Sequence, residues 1–261
     1  MDPIAFIIIF LFFLVGLLVG SFLNAAEYRL AHQLSVITNK HNGAARSMCP
    51  HCHKTLWNKD LIPLISYVLL GGMCRFCKTA ISIQYPVVEL ATALMYVSAV
   101  LRFGLHAQAF VAAVFGTFLL FIFLYDLKHQ LILDKISIPA ISIAFPLSWF
   151  VFHLSLHSML IGAFIAGGFF ALQYIASKGK WIGGGDIRLG VLMGIMLGWE
   201  QTLAALILAY VGGALIAVVL LLQKKVTAQT RIPFGTLLTV ATYSCLLYGN
   251  TIIEWYIHLI V

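Results

Sequence analysis

The sequence has few charged residues. Asp, Glu, Lys and Arg make up only 10% of its 261 residues, whereas 62% are hydrophobic. The mean hydropathy is +1.00. A soluble domain has roughly 25% charged and 45–50% apolar residues. This composition excludes a soluble globular protein, and no stretch is polar enough for a large soluble domain. The sequence therefore indicates a polytopic membrane protein.

The apolar runs predict an all-α fold, a polytopic transmembrane helical bundle of about eight spans. The predicted spans are 4–23, 87–103, 108–125, 136–155, 159–176, 187–199, 201–222 and 235–257. The sixth and seventh meet at Gly198-Trp199-Glu200-Gln201, so seven is the alternative count. The first run lacks the basic start and small-residue cleavage site of a signal peptide, so we expect it to be retained.

Lysine and arginine are unevenly distributed along the chain. With the N-terminus outside, fifteen of the sixteen fall in the stretches 24–86, 126–135, 177–188 and 223–234, and only Arg102 does not. Basic residues mark the cytoplasmic side of a membrane protein. The formal net charge of +7 is therefore interpreted as an inner-face signature, and no nucleic-acid partner is expected.

Cysteine is also scarce, with five residues, but four of them form two C-x-x-C pairs separated by 21 residues. Four thiolates at this spacing can surround one tetrahedral Zn²⁺. Disulfides are rare in the reducing cytosol, so structural zinc is favoured over a redox dithiol or metal-free thiols. His51 and His53 are alternative ligands, and Cys245 is interpreted as a small core residue. The predicted metal ligands are Cys49, Cys52, Cys74 and Cys77.

Only nine residues are acidic, so each can be considered individually. Glu27 and Glu89 are expected to cap a helix or to line the surface on which the cysteine loop docks. The others outside the central motifs are expected to be solvated. These are Asp2, Asp60, Glu200 and Glu254.

Asp126, Asp134 and Asp186 all map to the predicted cytoplasmic edge. Asp126 ends the third span and Asp186 begins the sixth, so both can face one cavity where helix ends meet. An ionisable group near the hydrocarbon is a functional hypothesis by default. Two carboxylates that share one proton can activate water and protonate a leaving amine, as in aspartic proteolysis. Glycines 183–185 would let the backbone turn sharply there and let a peptide approach.

Each of these carboxylates also has a structural explanation. Asp186 could be the N-cap of the sixth span, and Asp134 the N-cap of the fourth. Asp126 is harder to explain in this way, because the macrodipole at a helix C-terminus disfavours an anion, although Lys128 could offset part of that cost.

Taken together, the motifs resemble the type IV prepilin peptidase family, the bifunctional leader peptidases and N-methyltransferases of pilus assembly and type II secretion. The similarity runs nearly end to end. The segments that carry it are Gly20-Ser-Phe-Leu-Asn24 with Arg29-Leu30, both cysteine pairs, Ile62-Pro-Leu-Ile-Ser-Tyr67, Tyr85-Pro-Val-Val-Glu89, 126–134, the G-x-G-D signature at 183–186, and Ile232-Pro-Phe-Gly235.

This resemblance implies that Asp126 and Asp186 are the catalytic pair of a membrane aspartic peptidase, and that the four cysteines are a cytoplasmic zinc site. The implied substrate is a prepilin or pseudopilin, cut on the cytoplasmic side after a glycine that ends a short basic leader. The new N-terminus would then be methylated from S-adenosylmethionine, with binding residues unknown. The implied location is the bacterial inner membrane, beside the pilus or type II secretion assembly machinery.

The implied domain division is a first span at 1–23, a zinc loop associated with methyl transfer at 24–86, and a peptidase core at 87–261. Three positions depart from the common family pattern. Leu133 and Ala31 each stand where proline is frequent, and Arg188 stands where lysine is frequent. Two other classes compete with the peptidase. They are a proton- or cation-coupled transporter that uses the aspartates, and a membrane thiol oxidoreductase that uses the cysteine pairs.

Overall fold

The computed structural model describes residues 3–36, 38–39, 43–44, 47–223 and 233–260. Several residues used above lie outside these ranges, namely Asp2, Lys40, Arg46, Lys224, Lys225, Arg231 and Ile232. The helices are α1 (Pro3–Ala31), α2 (Ile65–Leu69), α3 (Gln84–Phe103), α4 (Ala107–His129), α5 (Asp134–Phe150), α6 (Leu156–Ser177), α7 (Gly184–Leu222) and α8 (Phe234–Ile260).

The all-α prediction is confirmed. Within the described ranges, the only strands are the two-residue antiparallel pair β1 (Thr38–Asn39) and β2 (Gly43–Ala44), and a 3₁₀ turn covers Asn58–Leu61. In the described part of the chain, six helices are long and apolar enough to cross a membrane: α1, α3, α4, α6, α7 and α8. The chain is therefore a multi-pass membrane protein.

All eight predicted segments lie in helices, apart from residues 151–155, although only six of the described helices reach the length and hydropathy of a span. The segments 187–199 and 201–222 both belong to α7, and α5 has only 17 residues. The break expected between the two segments is nevertheless present inside α7. Gly198 has φ 71° and ψ 177°, a conformation that only glycine adopts readily.

The two arms of α7 run in opposite directions along α6. In the arm 184–197, Gly194 lies against Gly162 of α6, and Gly190 against Ala166 and Phe170. In the arm 199–222, Trp199 lies beside Ser158, and the Tyr210 hydroxyl accepts a hydrogen bond of 2.9 Å from Gln173 Nε2. Residue numbers on α6 thus fall along the first arm and rise along the second, so the chain reverses at Gly198.

The chain divides into two compact units, Met1–Leu105 and His106–Val261. In the first unit, α1 and α3 pack antiparallel: Gly16 faces Ala93, and Gly20 faces Glu89. A Cβ on Gly20 would lie 2.6 Å from Glu89 Cα, so the helices approach too closely for any side chain there. The division by role into 1–23, 24–86 and 87–261 stays a prediction.

Buried polar residues join the neighbouring ends of α1 and α3. Asn24 Nδ2 donates to the Tyr85 carbonyl over 3.1 Å. Glu89 lies inside α3 and accepts the Leu64 backbone N–H over 2.8 Å. Leu64 is the N-cap of α2 and has φ 58°, so Glu89 does cap a helix. Glu27 is buried inside α1, which continues to Ala31.

The second unit is built around α7. This helix packs on α5, α6 and α8, while α4 packs on α5 and α8. Its core consists of large, fully buried side chains on four helices, α4, α6, α7 and α8, including Phe115, Met159, Phe170, Met193 and Leu238. One site lies where the C-terminus of α4 meets the N-termini of α5, α7 and α8.

The close packing of α6 and α7 can be tested at Gly194. A Cβ there would collide with the backbone of Ala163, so we expect Gly194→Ala to destabilise the protein by about 1–3 kcal/mol through overpacking. The measurement is the thermal unfolding midpoint of the purified protein in detergent. Gly168→Ala on α6 is the matched control, because its Cβ meets nothing within 4 Å. Equal midpoints for the two variants would contradict the packing described here.

Candidate active site and metal centre

A cavity of about 330 Å³ lies in the second unit, where α4 ends and α5 and α7 begin. It contains all three aspartates that the sequence placed at one edge of the membrane. Its lining residues are Asp126, Gln130, Leu131, Ile132, Asp134, Gly183, Gly184, Gly185, Asp186 and Arg188. The structure therefore brings Asp126 and Asp186 to one site, while their catalytic role stays a prediction.

Asp126 lies in the last turn of α4 and is only 6% exposed. Its Oδ2 accepts the backbone N–H of Thr236 over 3.0 Å. Thr236 is in the first turn of α8. The positive end of α8 thus offsets the unfavourable position of this carboxylate at the negative end of α4. Lys128 was expected to offset that cost. The contribution of α8 was not expected, although the Ile232-Pro-Phe-Gly235 motif marks where this helix starts.

Asp186 is in the first turn of α7, and its Oδ2 accepts the backbone N–H of Gly183 over 3.1 Å. Gly183, not Asp186, is the N-cap of this helix. The predicted alternative role of Asp186 as an N-cap is therefore wrong in detail. The carboxylate still satisfies an unpaired N–H at the helix start. Both aspartates thus lie beside the positive end of a helix and receive a backbone donor there.

Asp134 is the first residue of α5, whose N-cap is Leu133. The predicted capping role is therefore not observed. Its carboxylate instead forms an ion pair with Arg188, two residues after Asp186 on α7. Arg188, one of the departures from the family pattern, thus ties the start of α5 to the start of α7 at the edge of the cavity.

The three glycines before Asp186 do not make the sharp turn that we expected. None of them has positive φ, so the backbone there is accessible to other residues. Gly185 has a different requirement: its Cβ would lie 2.7 Å from Ile132 Cβ. Gly184 has open space around it. Close packing against the chain between α4 and α5, rather than a strained turn, accounts for glycine at 185.

Gly235 is the position where a small change should disturb Asp126 most directly. A Cβ there would lie 2.7 Å from Asp126 Oδ2. Because Asp126 is a predicted catalytic residue, we expect Gly235→Ala to displace its carboxylate from the Thr236 N–H and to lower cleavage of the prepilin substrate that the resemblance implies by about 10²-fold. Gly212→Ala is the control, because its Cβ meets nothing within 4 Å. Comparable initial rates for the two variants would contradict this role.

The four cysteines predicted as metal ligands form one cluster in the first unit. Their sulfur atoms all lie within 4.8 Å of one another, and Cys49 Sγ is 3.8 Å from Cys77 Sγ. Zn–S bonds of about 2.3 Å in a tetrahedron put the sulfurs about 3.8 Å apart. The spacing and the all-sulfur donor set therefore fit zinc. His51 and His53, the alternative ligands, are both exposed.

The two cysteine pairs adopt the same backbone arrangement. The backbone N–H of Cys49 donates to the Lys54 carbonyl, and that of Cys74 donates to the Thr79 carbonyl, in each case five residues later. The carbonyls of Cys49 and Cys74 accept the N–H groups of His53 and Lys78, four residues later. His53 and Lys78 both have positive φ, 53° and 57°. Two similar turns therefore hold the cluster. In each turn, the backbone N–H groups named above already have hydrogen-bond acceptors.

The cysteine thiols differ in acidity. The Thr79 hydroxyl, 3.3 Å from Cys77 Sγ, is the main cause that lowers the pKa of Cys77 to about 6. The pKa of Cys52 is raised to about 11: a hydrogen bond with the Lys54 backbone lowers it, but burial and the neighbouring Cys49 and Cys77 thiols outweigh that bond. Four thiolates this close would repel one another, and a bound cation would offset that repulsion.

Asp60 is not solvated, contrary to the prediction. Its side chain is 2% exposed, and its Oδ1 accepts hydrogen bonds from Arg75 Nε and Nη2 over 2.9 and 2.7 Å. The hydrogen bonds from Arg75 lower the pKa of Asp60. Because Arg75 lies in the second cysteine pair, this ion pair fastens that pair to the Asn58–Leu61 turn.

The lowered pKa of Asp60 gives a pH-dependent prediction. A carboxylate whose pKa is lower in the folded than in the unfolded protein stabilises the fold at pH values above its pKa in the unfolded state. This stabilisation is lost as the pH falls through its pKa in the folded state. We therefore expect Asp60→Asn to speed hydrogen exchange in 47–83 at pH 7, and the difference from wild type to vanish in acid. Glu254→Gln, at an exposed carboxylate on α8, is the control. A difference that persists at low pH would contradict the ion-pair explanation.

The fold and these sites define a multi-pass membrane protein with a paired-carboxylate cavity and a separate four-cysteine cluster. The chain belongs to the type IV leader peptidase family. That family's model matches residues 113–218, and the model of the bacterial peptidase A24 N-terminal domain matches residues 14–103. The two matched regions fall in the two compact units. The resemblance predicted from the motifs is confirmed.

Curated relatives cover nearly the full length of the chain. A Bacillus subtilis (strain 168) protein is 34% identical over 94% of this chain and 96% of its own length. A Stutzerimonas stutzeri protein is 33% identical, with 98% and 95% covered. A Pseudomonas aeruginosa protein is 31% identical, with 98% and 94% covered. All three are named prepilin leader peptidase/N-methyltransferase. No solved structure matches the chain significantly.

Proposed function

We propose that this protein is a membrane aspartic endopeptidase that removes the leader of prepilins or pseudopilins, and that it also methylates the new N-terminus. The names of relatives that match almost end to end support both activities. The structural observation that carries the peptidase assignment is the cavity of the second unit. Asp126 of α4 and Asp186 of α7, which are 60 residues apart in sequence, both line it.

The proposed reaction uses one proton on the pair of aspartates. One carboxylate takes a proton from a water molecule, whose oxygen attacks the scissile carbonyl carbon, while the protonated partner gives its proton to the carbonyl oxygen. When the C–N bond breaks, the amine nitrogen takes a proton from the acid formed in the first step, and one hydroxyl of the tetrahedral intermediate returns its proton to the partner, which restores the singly protonated pair. The backbone N–H groups of Thr236 and Gly183 hold the two carboxylates in place during this exchange.

The position of the cavity suits a substrate that has an apolar helix. It lies where α4 ends and α5 and α7 begin, so a substrate helix in the bilayer would bring the peptide bond at its own end to the aspartates. We assign this end of the protein to the cytoplasmic face of the bacterial inner membrane, because Lys128, Lys135, Lys178 and Lys180 flank it in the sequence. Pilus or type II secretion machinery is the proposed setting.

We assign a structural Zn²⁺ to Cys49, Cys52, Cys74 and Cys77. Four thiolates leave no open position for water, so the ion would fold the polar segment between α1 and α3 rather than catalyse hydrolysis. S-adenosylmethionine would supply the methyl group for N-methylation. That activity is carried over from the names of the relatives alone, with the residues 24–86 as its proposed region.

The test is cleavage of a synthetic prepilin by the purified full-length protein in detergent, with and without S-adenosylmethionine. Mass spectrometry should show one free leader and one shortened pilin, which gains a single methyl group only when the cofactor is present. Cleavage without methylation would overturn the second activity alone. If wild type cleaved nothing but carried protons across a vesicle membrane, the transporter class would replace the peptidase.

A further inference from the structure

The short helix α2 presents apolar side chains to the surroundings. Ile65, Val68 and Leu69 are 57%, 75% and 80% exposed. Positions i, i+3 and i+4 lie on one face of a helix, so these three residues form a stripe. Ile62, just before α2, is 45% exposed and extends it. A contiguous exposed apolar face indicates a contact surface rather than a solvated one.

Basic and aromatic residues accompany this stripe. α2 contacts the Asn58–Leu61 turn, and Trp57 directly precedes that turn. The Trp57 ring lies edge-on to Phe76, with centroids 5.8 Å apart. Lys59 Nζ is 4.5 Å from the centre of the Trp57 ring, and Lys54 Nζ is 5.2 Å from that of Phe76.

The charge balance of this segment favours an anionic partner. Residues 47–83 contain one acid, Asp60, whose carboxylate is bonded to Arg75. The basic residues of the same segment outnumber it; they are Lys54, Lys59, Arg75 and Lys78. Lysines beside an exposed tryptophan and an apolar stripe are the composition of a surface that binds anionic lipid headgroups.

The path of the chain keeps the segment that carries this surface next to a membrane. Because α1 and α3 are antiparallel, the end of α1 at Ala31 and the start of α3 at Gln84 lie on the same side. Both helices are long and apolar enough to cross a bilayer. The segment between them is therefore tethered at both ends to one face of the membrane.

We propose that the α2 surface, defined as Ile62, Ile65, Val68 and Leu69 with Trp57, Lys54 and Lys59, docks onto the anionic headgroup layer of the bilayer that α1 and α3 span. The apolar stripe enters the interface, and the lysines contact lipid phosphates. This contact fixes the height of the cysteine cluster above the membrane. It does not depend on the reaction proposed for the second unit.

The test places a photo-crosslinking benzoylphenylalanine at Ile65 in the full-length protein. The protein is reconstituted in nanodiscs of phosphatidylcholine alone, or of phosphatidylcholine with phosphatidylglycerol. We expect more lipid adducts from position 65 than from the same probe at His51, an exposed residue of the first cysteine pair. We also expect the yield at 65 to rise with phosphatidylglycerol.

Charge variants separate the lysines from the apolar stripe. Removing one cation near an anionic surface weakens binding about fivefold, so Lys54→Gln with Lys59→Gln should weaken docking about 25-fold and lower the adduct yield in phosphatidylglycerol nanodiscs at least several-fold. Lys54→Arg with Lys59→Arg keeps the charge and should keep the yield. Gel filtration of each variant verifies that it is folded.

Three outcomes would overturn the proposal. Equal lipid adducts at Ile65 and His51 would mean that the stripe does not face the bilayer. A yield independent of phosphatidylglycerol and of both lysines would remove the role of charge. Adducts to residues 106–261, or to another copy of the chain, would show that protein covers the stripe.

Discussion

Asp126→Asn and Asp186→Asn are each expected to reduce prepilin cleavage at least about 10³-fold, because an amide can neither accept the proton of the attacking water nor pass one to the leaving amine. The substitution changes the shape of the side chain very little. The amide oxygen can still accept the N–H of Thr236 or Gly183. We therefore expect both variants to fold, to retain zinc and to bind substrate, and only the rate of cleavage to fall. Initial rates, measured by mass spectrometry of the released leader, test this.

The control for these variants is Glu200→Gln, which makes the same carboxylate-to-amide change at an exposed position of α7. It should cleave at the wild-type rate. If Asp126→Asn still cleaved and Asp134→Asn did not, the second catalytic carboxylate would be Asp134, which lines the same cavity. If both single variants cleaved at the wild-type rate, the aspartic mechanism would be wrong.

Cys74→Ser is expected to abolish zinc binding and to unfold the segment between α1 and α3. Cys74 is buried and belongs to the four-sulfur cluster. Metal binding to such clusters contributes about 10–16 kcal/mol of folding free energy, which a short polar segment cannot replace. The measurements are metal content and hydrogen exchange over 47–83. The second unit has a separate core, so its exchange should stay as in wild type.

Cys245→Ala is the matched control, since Cys245 is equally buried but lies in α8, outside the cluster. It should keep full metal content. Protection over 47–83 that survived in zinc-free Cys74→Ser would contradict a structural role for the metal. Loss of a thiol-oxidising activity, with the fold retained, would instead support the oxidoreductase class.

The apolar helices and the break at Gly198 could be predicted from the sequence because both follow from local composition. Long apolar runs have few alternatives to a membrane helix. Gly198-Trp199-Glu200-Gln201 interrupts such a run with a residue that tolerates the observed backbone and with polar side chains. The sequence also predicted that Asp126 and Asp186 lie at the same edge of the membrane, because one ends a predicted span and the other begins one on that side.

Contacts between distant motifs could not be predicted, because no local pattern encodes them. Leu64 of one motif bonds Glu89 of another, and Asn24 bonds Tyr85. Asp60 looked solvated because its partner Arg75 lies 15 residues away in a cysteine pair. Gly235 gave no sign of its closeness to Asp126. In each case the sequence contains the residue, but the contact that explains it is with a distant residue that the sequence does not identify.

Two helical segments that start beside the cavity are short. The 17 residues of α5 rise about 26 Å, and the arm 184–197 of α7 about 20 Å, at roughly 1.5 Å per residue. The hydrocarbon core of a typical bilayer is about 30 Å thick. A helix shorter than the hydrocarbon core is accommodated by local thinning of the bilayer, so we expect the lipid beside α5 to thin and to bring headgroups and water closer to the aspartates. The acyl-chain length of the surrounding lipid thus becomes a physical variable of the site.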